Sequence, residues 1–439
     1  MAPAANLGLA AGDRRSGRAV SREHAEAADV REFRVRARTW IADNLDPCPE
    51  PQGEARRAED YTPEVLARGR ALQRRLWECG YAGITWPTRY GGQGLSPAHE
   101  AAFLEEARGF QLPDFGYLRA TTFEVCVPTM IAHGPEEFLA RFVPRVLAGE
   151  VLVCQYFSEP EAGSDLAGIR TRAMRVDDGW EINGQKVWST MAHLADWGMC
   201  LARTDWNVPK HRGLTWFAVP CHADGVTTRP IRQINETEEF CEEFFENVKV
   251  PDEQRISPVN GGWAMAQTML ALERGAGNAA YRLPVTAGAV RPELVELAWR
   301  AGTLDDPATH QLLARSQEID VVERALRARI QQYADLGRLD PALAAYGKLF
   351  MGTYDPVRAR IRIDVGGAGS LGWAAGDADG RGTAQSYLNA RVYSIAGGTN
   401  EMQRNAIAER ALGLPREPRS DTDRPFNEVL RDAARWKNG

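Results

Sequence analysis

Apolar residues in the first third of the chain recur at the 3.6-residue spacing of amphipathic helices. The first such run contains Phe33, Ala37, Trp40 and Ile41. Two later helix starts, Thr62–Pro63 and Ser96–Pro97, combine a capping hydroxyl with a proline at the first helical position. The pattern predicts an N-terminal helical domain over residues 26–150, preceded by a disordered leader at 1–25.

The pattern changes between residues 151 and 258, where turn dipeptides separate strand-like runs. Asp178–Gly179 and Asn183–Gly184 are dipeptides typical of tight turns. The segment LTWFAV at 214–219 has the apolar, β-branched and aromatic content of a strand. These signals predict a middle β-domain over 151–258.

Helical spacing returns after Gly261–Gly262, and residues 315–336 resemble a long amphipathic helix. We therefore expect a C-terminal helical bundle over 259–416. Residues 417–439 form a tail with a short amphipathic helix, which we expect to dock on the body of the protein or on a neighbour. The apolar stripe of this helix contains Phe426, Val429, Leu430, Ala433 and Trp436. The order α, β, α predicts an α+β fold.

Composition narrows the class of protein. The 439 residues are 44% hydrophobic and 26% charged, which is typical of globular proteins and excludes a wholly disordered or coiled-coil chain. A net charge of -6 and an isoelectric point near 5.8 leave no basic surface of the kind that binds nucleic acid. No stretch approaches the ~18 apolar residues of a transmembrane helix, so we expect no membrane partner.

The cysteines and histidines point to a reducing compartment and to no metal. Seven cysteines are present without CxxC spacing, and an odd number in a long chain is not typical of a disulfide framework. The seven histidines show no metal-ligand spacing. The first residues break their weak apolar run with Asn6 and Gly8, so they do not form a signal peptide. The sequence predicts a cytoplasmic protein.

One segment carries an unusual concentration of ligand-binding residue types. CQYFSEPEAGSDLAG at 154–168 combines hydroxyls, a Gly-Ser pair that lets backbone N–H groups approach an anion, and two aromatics suited to a flat ring. By itself, the segment also fits a strand followed by a hydroxyl-rich turn.

Three separated segments together resemble the acyl-CoA dehydrogenase family, in the family's order. They are YFSEPEAGSD at 156–165, NGQKVWST at 183–190 and GGTNEMQR at 397–404. The resemblance implies a helical N-terminal domain, a β-barrel-like middle domain, a C-terminal four-helix bundle and FAD as cofactor. A flavin needs hydroxyl or N–H donors at its polar edge and aromatic or apolar cover over its rings.

Site residues carried over from the family follow the same segments. The resemblance implies that Tyr156, Phe157 and Ser158 line the flavin ring. It assigns Gly163 and Ser164 to the cofactor or thioester phosphates, so that Ser164 also counts as substrate-binding. Trp188 and Thr190 would cover the other flavin face and N5, and Thr399 and Glu401 would touch the adenosine half.

The family's reaction needs a glutamate that removes the Cα proton of an acyl thioester. Where many members carry it just before a Gly-Thr pair, this chain has Gly397. A second branch, with isovaleryl and long-chain type members, places the base on an earlier helix, at the position of Glu273. Small and apolar neighbours on its helix face would desolvate Glu273 and raise its pKa. Arg274 would order that helix or the acyl pocket.

The implied reaction is the α,β-dehydrogenation of an acyl thioester, carried by CoA or by a carrier protein. Electrons would pass to an electron-transferring flavoprotein, and the chain would form a homodimer or homotetramer. Two alternatives stay open: a flavin oxidase or monooxygenase of the nitroalkane-oxidase type, and a non-catalytic partner subunit of a heteromer. The segment after 281 lacks the Arg-x-x-Phe-Gly pattern with which a neighbouring subunit usually clamps FAD. This absence, together with Gly397, makes the partner subunit plausible, whereas the presence of Glu273 argues against it.

Overall fold

The computed structural model describes residues 27–48, 60–280, 290–336, 341–372, 378–418 and 421–437. Along these residues the elements are helical, then strands, then helical again. The predicted α+β class and its α, β, α order are confirmed. The leader predicted at 1–25 lies outside the described residues.

The N-terminal part is helical, and its starts follow the capping signals. Its helices are α1 Ala28–Asn44, α2 Pro63–Glu78, α3 Pro97–Glu106, α4 Tyr117–Ala120, α5 Val127–His133 and α6 Glu136–Leu147. A π-helical turn, Thr121–Cys126, joins α4 to α5. Thr62 caps α2 by accepting the N–H of Val65 at 3.4 Å, with Pro63 at the first helical position.

Seven strands form one curled sheet in the middle of the chain. They are β1 Val153–Tyr156, β2 Arg172–Val176, β3 Gly179–Thr190, β4 Trp197–Arg203, β5 Leu214–Pro220, β6 Val226–Ile231 and β7 Phe240–Pro251. The strand order is β1-β4-β2-β3-β7-β6, and β5 pairs with β4. The strands β1 and β3 are therefore not neighbours in the sheet.

The two predicted turn dipeptides have different outcomes. The predicted turn does lead from β2 into β3, although its two residues are Asp177 and Asp178 and Gly179 is the first residue of β3. A Cβ on Gly179 would meet the carbonyl oxygen of Val250 at 2.3 Å. Asn183–Gly184 lies inside β3, where the pairing with β7 shifts register. Gly184 is needed there because its φ is +154° and a Cβ would lie 2.5 Å from Thr171 Oγ1. That dipeptide marks a β-bulge, so the prediction of a turn was wrong.

Apart from the last one, the C-terminal helices surround one long central helix. They are α7 Gly262–Ala280, α8 Pro292–Arg300, α9 Pro307–Asp335, α10 Pro341–Gly366, α11 Ala378–Asn389, α12 Asn400–Ala406 and α13 Phe426–Lys437. Helix α10 packs against α7, α8, α9, α11 and α12. None of the helices in the described ranges is long and apolar enough to span a membrane.

Two apolar clusters meet at β1. One joins α5, α6, β4, β5 and the start of α7, and it includes Phe157. The other fills the inside of the curled sheet and includes Tyr156. The end of β1 thus lies between the sheet interior and the helical parts. The segment after Phe157 begins where the three parts of the chain meet.

The C-terminal tail returns to the middle domain and docks there through Phe426. This side chain is 3% exposed and stacks on Trp206, with the ring centroids 5.8 Å apart. The buried guanidinium of Arg203 lies 3.9 Å from the Phe426 ring centroid, close enough for a cation–π interaction. The backbone N–H groups of Phe426 and Asn427 donate to the carbonyls of Val208 and Trp206. The side chain of Trp436, predicted to share this stripe, lies outside the described side chains.

We predict that Phe426→Ala releases the tail. The substitution removes the buried ring and its contact with Arg203, which should lower the free energy of local opening by about 3 kcal/mol. Hydrogen–deuterium exchange of residues 421–437 should speed up, while exchange in β3 stays unchanged. Leu430→Ala, at a half-buried position of the same helix, is the matched control. Equal protection of the tail in both variants would contradict the assigned role of Phe426.

Candidate active site

At the end of β1, successive side chains point to opposite faces of the sheet, as in any strand. Gln155 and Phe157 face the helical parts, whereas Tyr156 faces the sheet interior. Tyr156 is fully buried, and its hydroxyl donates to Cys221 Sγ at 3.1 Å. It has no exposed surface with which to line a cofactor, so its predicted place at the flavin ring is corrected. Gln155 shares the face of Phe157.

A buried ion pair shapes the segment after β1. Lys186 on β3 donates from Nζ to the carbonyl of Phe157 and to Glu159 Oε1, both at 2.9 Å. Glu159 also accepts the backbone N–H groups of Arg170 and Thr171. Burial alone would raise the pKa of Glu159, but Lys186 and these N–H groups hold it below its ordinary value. The pair turns the Phe157 carbonyl inward and leaves Ser158, half-buried, at the surface.

Gly163 and Ser164 follow on an exposed loop. A Cβ built on Gly163 would meet nothing within 4 Å, so the protein itself does not require glycine here. The next residue, Asp165, accepts from Lys210 Nζ at 2.9 Å, and the same ammonium group donates to Asp421 at 2.6 Å. The loop is therefore tied to the C-terminal tail.

A second bulge at the end of β3 brings Trp188 to the surface. The pairing with β7 shifts register between Val187 and Ser189, and Trp188 has a φ of +68°, which is rare for a bulky residue. Its side chain is 57% exposed, with one edge against Phe240. Thr190, two residues on, is half-buried. Strain at an exposed aromatic residue is typical of a ligand-contacting position.

Between these two residues, Ser189 points into the sheet and donates to Glu243 Oε2 at 2.8 Å. Glu243 is fully buried, and its other oxygen has no hydrogen-bond partner. Burial raises the pKa of Glu243 to about 7, although Ser189 and Lys186 oppose the shift. A charged network thus lies directly beneath the exposed residues of β3.

Glu273 and Gly397 meet although they are far apart in the sequence. Glu273 is half-buried on α7. A Cβ built on Gly397 would lie 3.6 Å from Glu273 Oε1 and 3.3 Å from Cε of Lys348. The carboxylate of Glu273 therefore reaches the space that a side chain at position 397 would occupy.

The remaining predicted residues lie at the helix ends nearby. Thr399 caps α12 by accepting the N–H of Met402 at 3.2 Å. Glu401 is exposed and pairs with Arg404 at 3.4 Å. The side chain of Arg274, predicted to act on the substrate, lies outside the described side chains.

The three parts of the chain converge beside these groups. Desolvation of the phenol and the nearby Tyr393 and Glu239 raise the pKa of Tyr117 on α4, although this side chain is still 38% exposed. Glu239 precedes β7 and accepts the N–H of Met191 through its carbonyl. Tyr393 precedes Gly397. The end of β3, α4 and the Gly397 segment thus face one region.

Sequence reasoning missed two residues of this region, Gln155 and Lys348. The signal for Gln155 was present, because the alternation of a strand cannot place Tyr156 and Phe157 on one face. Lys348 carries no comparable signal, since its position beside Glu273 follows from the packing of α10.

Comparison with known proteins covers all three parts. Residues 27–150 match the acyl-CoA dehydrogenase N-terminal domain, 154–248 the middle domain and 260–412 the C-terminal domain. The chain is 37% identical over 399 residues to "Acyl-CoA dehydrogenase IpdE1" from Mycobacterium tuberculosis, covering 89% of this chain and 99% of that protein.

Two solved structures are similar over the same extent. The "Tcur3481-Tcur3483 steroid ACAD" is 26% identical with a TM-score of 0.69, covering 89% of this chain and 99% of that one. The "ChsE4-ChsE5 complex from Mycobacterium tuberculosis" is 25% identical with a TM-score of 0.65, again over 89% and 99%.

The buried carboxyl of Glu243 predicts a pH-dependent stability. Because its folded pKa of about 7 lies above the ordinary value of 4.5, folding favours the protonated form. This contribution is fully present below pH 4.5 and is lost as the pH rises toward 7. Glu243→Gln cannot ionise, so by pH 8 it should be more stable than the wild type by up to about 3 kcal/mol.

Urea unfolding of both proteins between pH 5 and 8 measures this difference. Glu253→Gln, at an exposed glutamate paired with Arg141, serves as the control. A constant difference between Glu243→Gln and the wild type over that range would show that Glu243 ionises normally.

Proposed function

Because the chain belongs to the acyl-CoA dehydrogenase family of FAD-dependent oxidoreductases acting on CH–CH bonds, we propose that Glu273 is its catalytic base. The proposed reaction forms a double bond between Cα and Cβ of an acyl-CoA thioester. The observation that carries this proposal is the meeting of Glu273 Oε1 with the space beside Gly397. In the family the base stands either at the position of Glu273 or at that of Gly397, and in this chain these two positions lie side by side. Of the two, only Glu273 carries a carboxylate.

The geometry supports the role of Glu273 as a proton acceptor. The residue one turn before it, Met269, is fully buried, so the carboxylate leaves an apolar helix face. Gly397 has no side chain to compete for the space. Glu273 accepts the Cα proton, which the neighbouring thioester carbonyl acidifies, while the Cβ–H bond electrons leave as hydride. Bound FAD supplies the acceptor of that hydride at N5.

The described residues also fit a flavin. Gln155 Nε2 is buried and has no hydrogen-bond partner, which is a costly state unless a ligand accepts from it. Ser158 and Thr190 add hydroxyls, and the strained, exposed Trp188 offers an aromatic surface. We propose that Gln155, Phe157, Ser158, Trp188 and Thr190 surround the ring.

The polar ends of the ligands would lie on either side of the ring. Gly163 and Ser164 fit the cofactor or thioester phosphates, since their loop leaves the backbone open. Thr399 and Glu401 fit the adenosine half. Because an exposed carboxylate repels phosphate, we place Glu401 at ribose hydroxyls rather than at the diphosphate.

We propose an oligomer in which a second chain completes the FAD site. The sequence after 281 lacks the Arg-x-x-Phe-Gly pattern with which a neighbouring subunit usually clamps FAD in the family. The titles of two similar structures name pairs of different proteins, which favours a heteromer. A cytoplasmic location and an electron-transferring flavoprotein as acceptor complete the proposal.

We propose an acyl-CoA thioester as the class of substrate. The relatives are named acyl-CoA dehydrogenases, and one similar structure is titled a steroid ACAD. A panel of straight-chain, branched and steroid-derived acyl-CoA thioesters should therefore be tested. Rapid reoxidation of the reduced protein by air, with peroxide formed, would favour the oxidase alternative instead.

We predict that Gly163→Ala weakens ligand binding without changing the fold. The added methyl meets no protein atom within 4 Å, so any loss must come from a ligand that approaches this backbone. The dissociation constants of FAD and of CoA should be measured separately. At least one of the two should rise by about tenfold or more. Gly369→Ala is the matched control, because a Cβ there also meets nothing within 4 Å. Gly109 has equally open surroundings, but its φ of +87° would add backbone strain. Unchanged binding of both ligands would remove Gly163 from the site.

We predict that Glu273→Gln binds FAD and acyl-CoA but no longer reduces the flavin efficiently. Glutamine keeps the shape and hydrogen bonding of the side chain yet cannot take up the proton. Single-turnover flavin reduction under anaerobic conditions should slow by about 10²–10⁴, the usual contribution of a general base. Glu253→Gln serves again as the exposed control. A rate for Glu273→Gln within about threefold of the wild type, far above that expectation, would exclude Glu273 as the base.

A further inference from the structure

A buried lysine lies beside the proposed base. Lys348 on α10 is only 6% exposed. Its Cε and the Oε1 atom of Glu273 lie 3.3 Å and 3.6 Å from the point where a Cβ on Gly397 would stand. The two side chains approach this point from different helices and meet where position 397 has no side chain.

The lysine is held from its other side by the backbone. Its Nζ donates to the carbonyl oxygen of Tyr393, four residues before Gly397. That segment is fastened to α10 through Gly352, whose carbonyl accepts from Ser394 Oγ at 2.7 Å and from Asn400 Nδ2 at 3.1 Å. The ammonium group of Lys348 is therefore fixed in position and does not depend on the substrate for its placement.

The charges around Glu273 make Lys348 electrostatically important. Burial lowers the pKa of Lys348, and the negative charge of Glu273 opposes that shift. Cys126, in the π-helical turn, faces the same carboxylate, but burial raises the pKa of its thiol so that it stays neutral. Asp355 on α10 acts on Lys348 and pairs with Arg358 at 2.7 Å. His133 on α5 is a further titratable group against α7, the helix that carries Glu273, and its imidazole is hydrogen-bonded to Thr268 Oγ1.

We propose that Lys348 is a positioning residue of the active site, whose buried ammonium group keeps Glu273 ionised and directed at the space beside Gly397. The proposal rests on the assignment of Glu273 as the base. A partly buried carboxylate on an apolar helix face tends to take up a proton, and a protonated Glu273 could not accept another. A fixed cation nearby removes this difficulty before the substrate binds.

The first test measures the ionisation of Glu273 without any substrate. Protein labelled with ¹³C-glutamate is titrated by infrared spectroscopy, and the spectrum of Glu273→Gln is subtracted at each pH. Lys348→Met keeps the length of the side chain and removes its charge, so the pKa of Glu273 should rise by about one unit or more. Lys348→Arg keeps the charge and should titrate close to the wild type.

Lys210→Met is the matched control, because Lys210 has the same exposed fraction of 6% but pairs with Asp165 and Asp421. It should leave the titration of Glu273 unchanged. A Glu273 pKa in Lys348→Met within about 0.3 units of the wild type, against the shift expected for a lost neighbouring charge, would overturn the proposal.

The second test follows anaerobic flavin reduction by acyl-CoA as a function of pH. In Lys348→Met the rate should fall about tenfold one pH unit below the new pKa and should recover at higher pH. KM and flavin content should stay close to the wild type. A loss of rate that is equal at every pH would instead indicate a structural role and would overturn the proposal.

The two tests separate this inference from the proposed function. If no acyl-CoA reduces the flavin, the proposed function fails, yet the infrared titration still decides whether Lys348 controls Glu273. If Lys348→Met does not fold, Lys348→Gln replaces it in the same titration, and a Glu273 pKa within about 0.3 units of the wild type would again overturn the proposal.

Discussion

The buried pair of Lys186 and Glu159 is the interaction on which the proposed flavin surface depends. The two charges are almost fully buried, and either one alone would carry a desolvation cost of several kcal/mol. Lys186 lies on β3 and Glu159 follows β1, so the pair joins two strands that are not adjacent in the sheet. It fixes the Phe157 carbonyl inward, and the position of Ser158 and the loop beyond follows from that.

The same pair explains why the sheet can support a site at all. An exposed loop rich in small and polar residues has little packing of its own to hold it. Here its start is bound by Lys186, its later part is anchored to Glu159 through two backbone N–H groups, and Asp165 is bound by Lys210. Buried charges therefore perform, for this loop, the ordering that apolar side chains perform elsewhere.

Much of the architecture follows from local rules. The cap at Thr62, the turn before Gly179 and the change from helical to strand spacing depend on near neighbours, so the α+β class and the element order were predictable. Gln155 was also within reach, because the period of a strand determines which residues share a face. Which face of the strand is accessible depends on how the sheet packs against the helices. The sequence pattern does not show this packing, so the burial of Tyr156 was not predicted.

The placement of Lys348 and Glu273 around position 397 was beyond sequence reasoning for a different reason. It depends on α7, α10 and the segment before α12, three elements whose mutual packing carries no short-range pattern. Asn183–Gly184 shows the same limit on a smaller scale, since a dipeptide that permits a turn also permits a bulge. The neighbouring strand decides between them.

Gly397 and Gly398 both have a positive φ, at +66° and +92°. A side chain at position 397 would strain the backbone by roughly 1–2 kcal/mol, and its Cβ would lie only 3.3 Å from Cε of Lys348. Moving a carboxylate to position 397 would therefore require more than one substitution, because the turn at Gly397 and Gly398 would first have to leave the left-handed region.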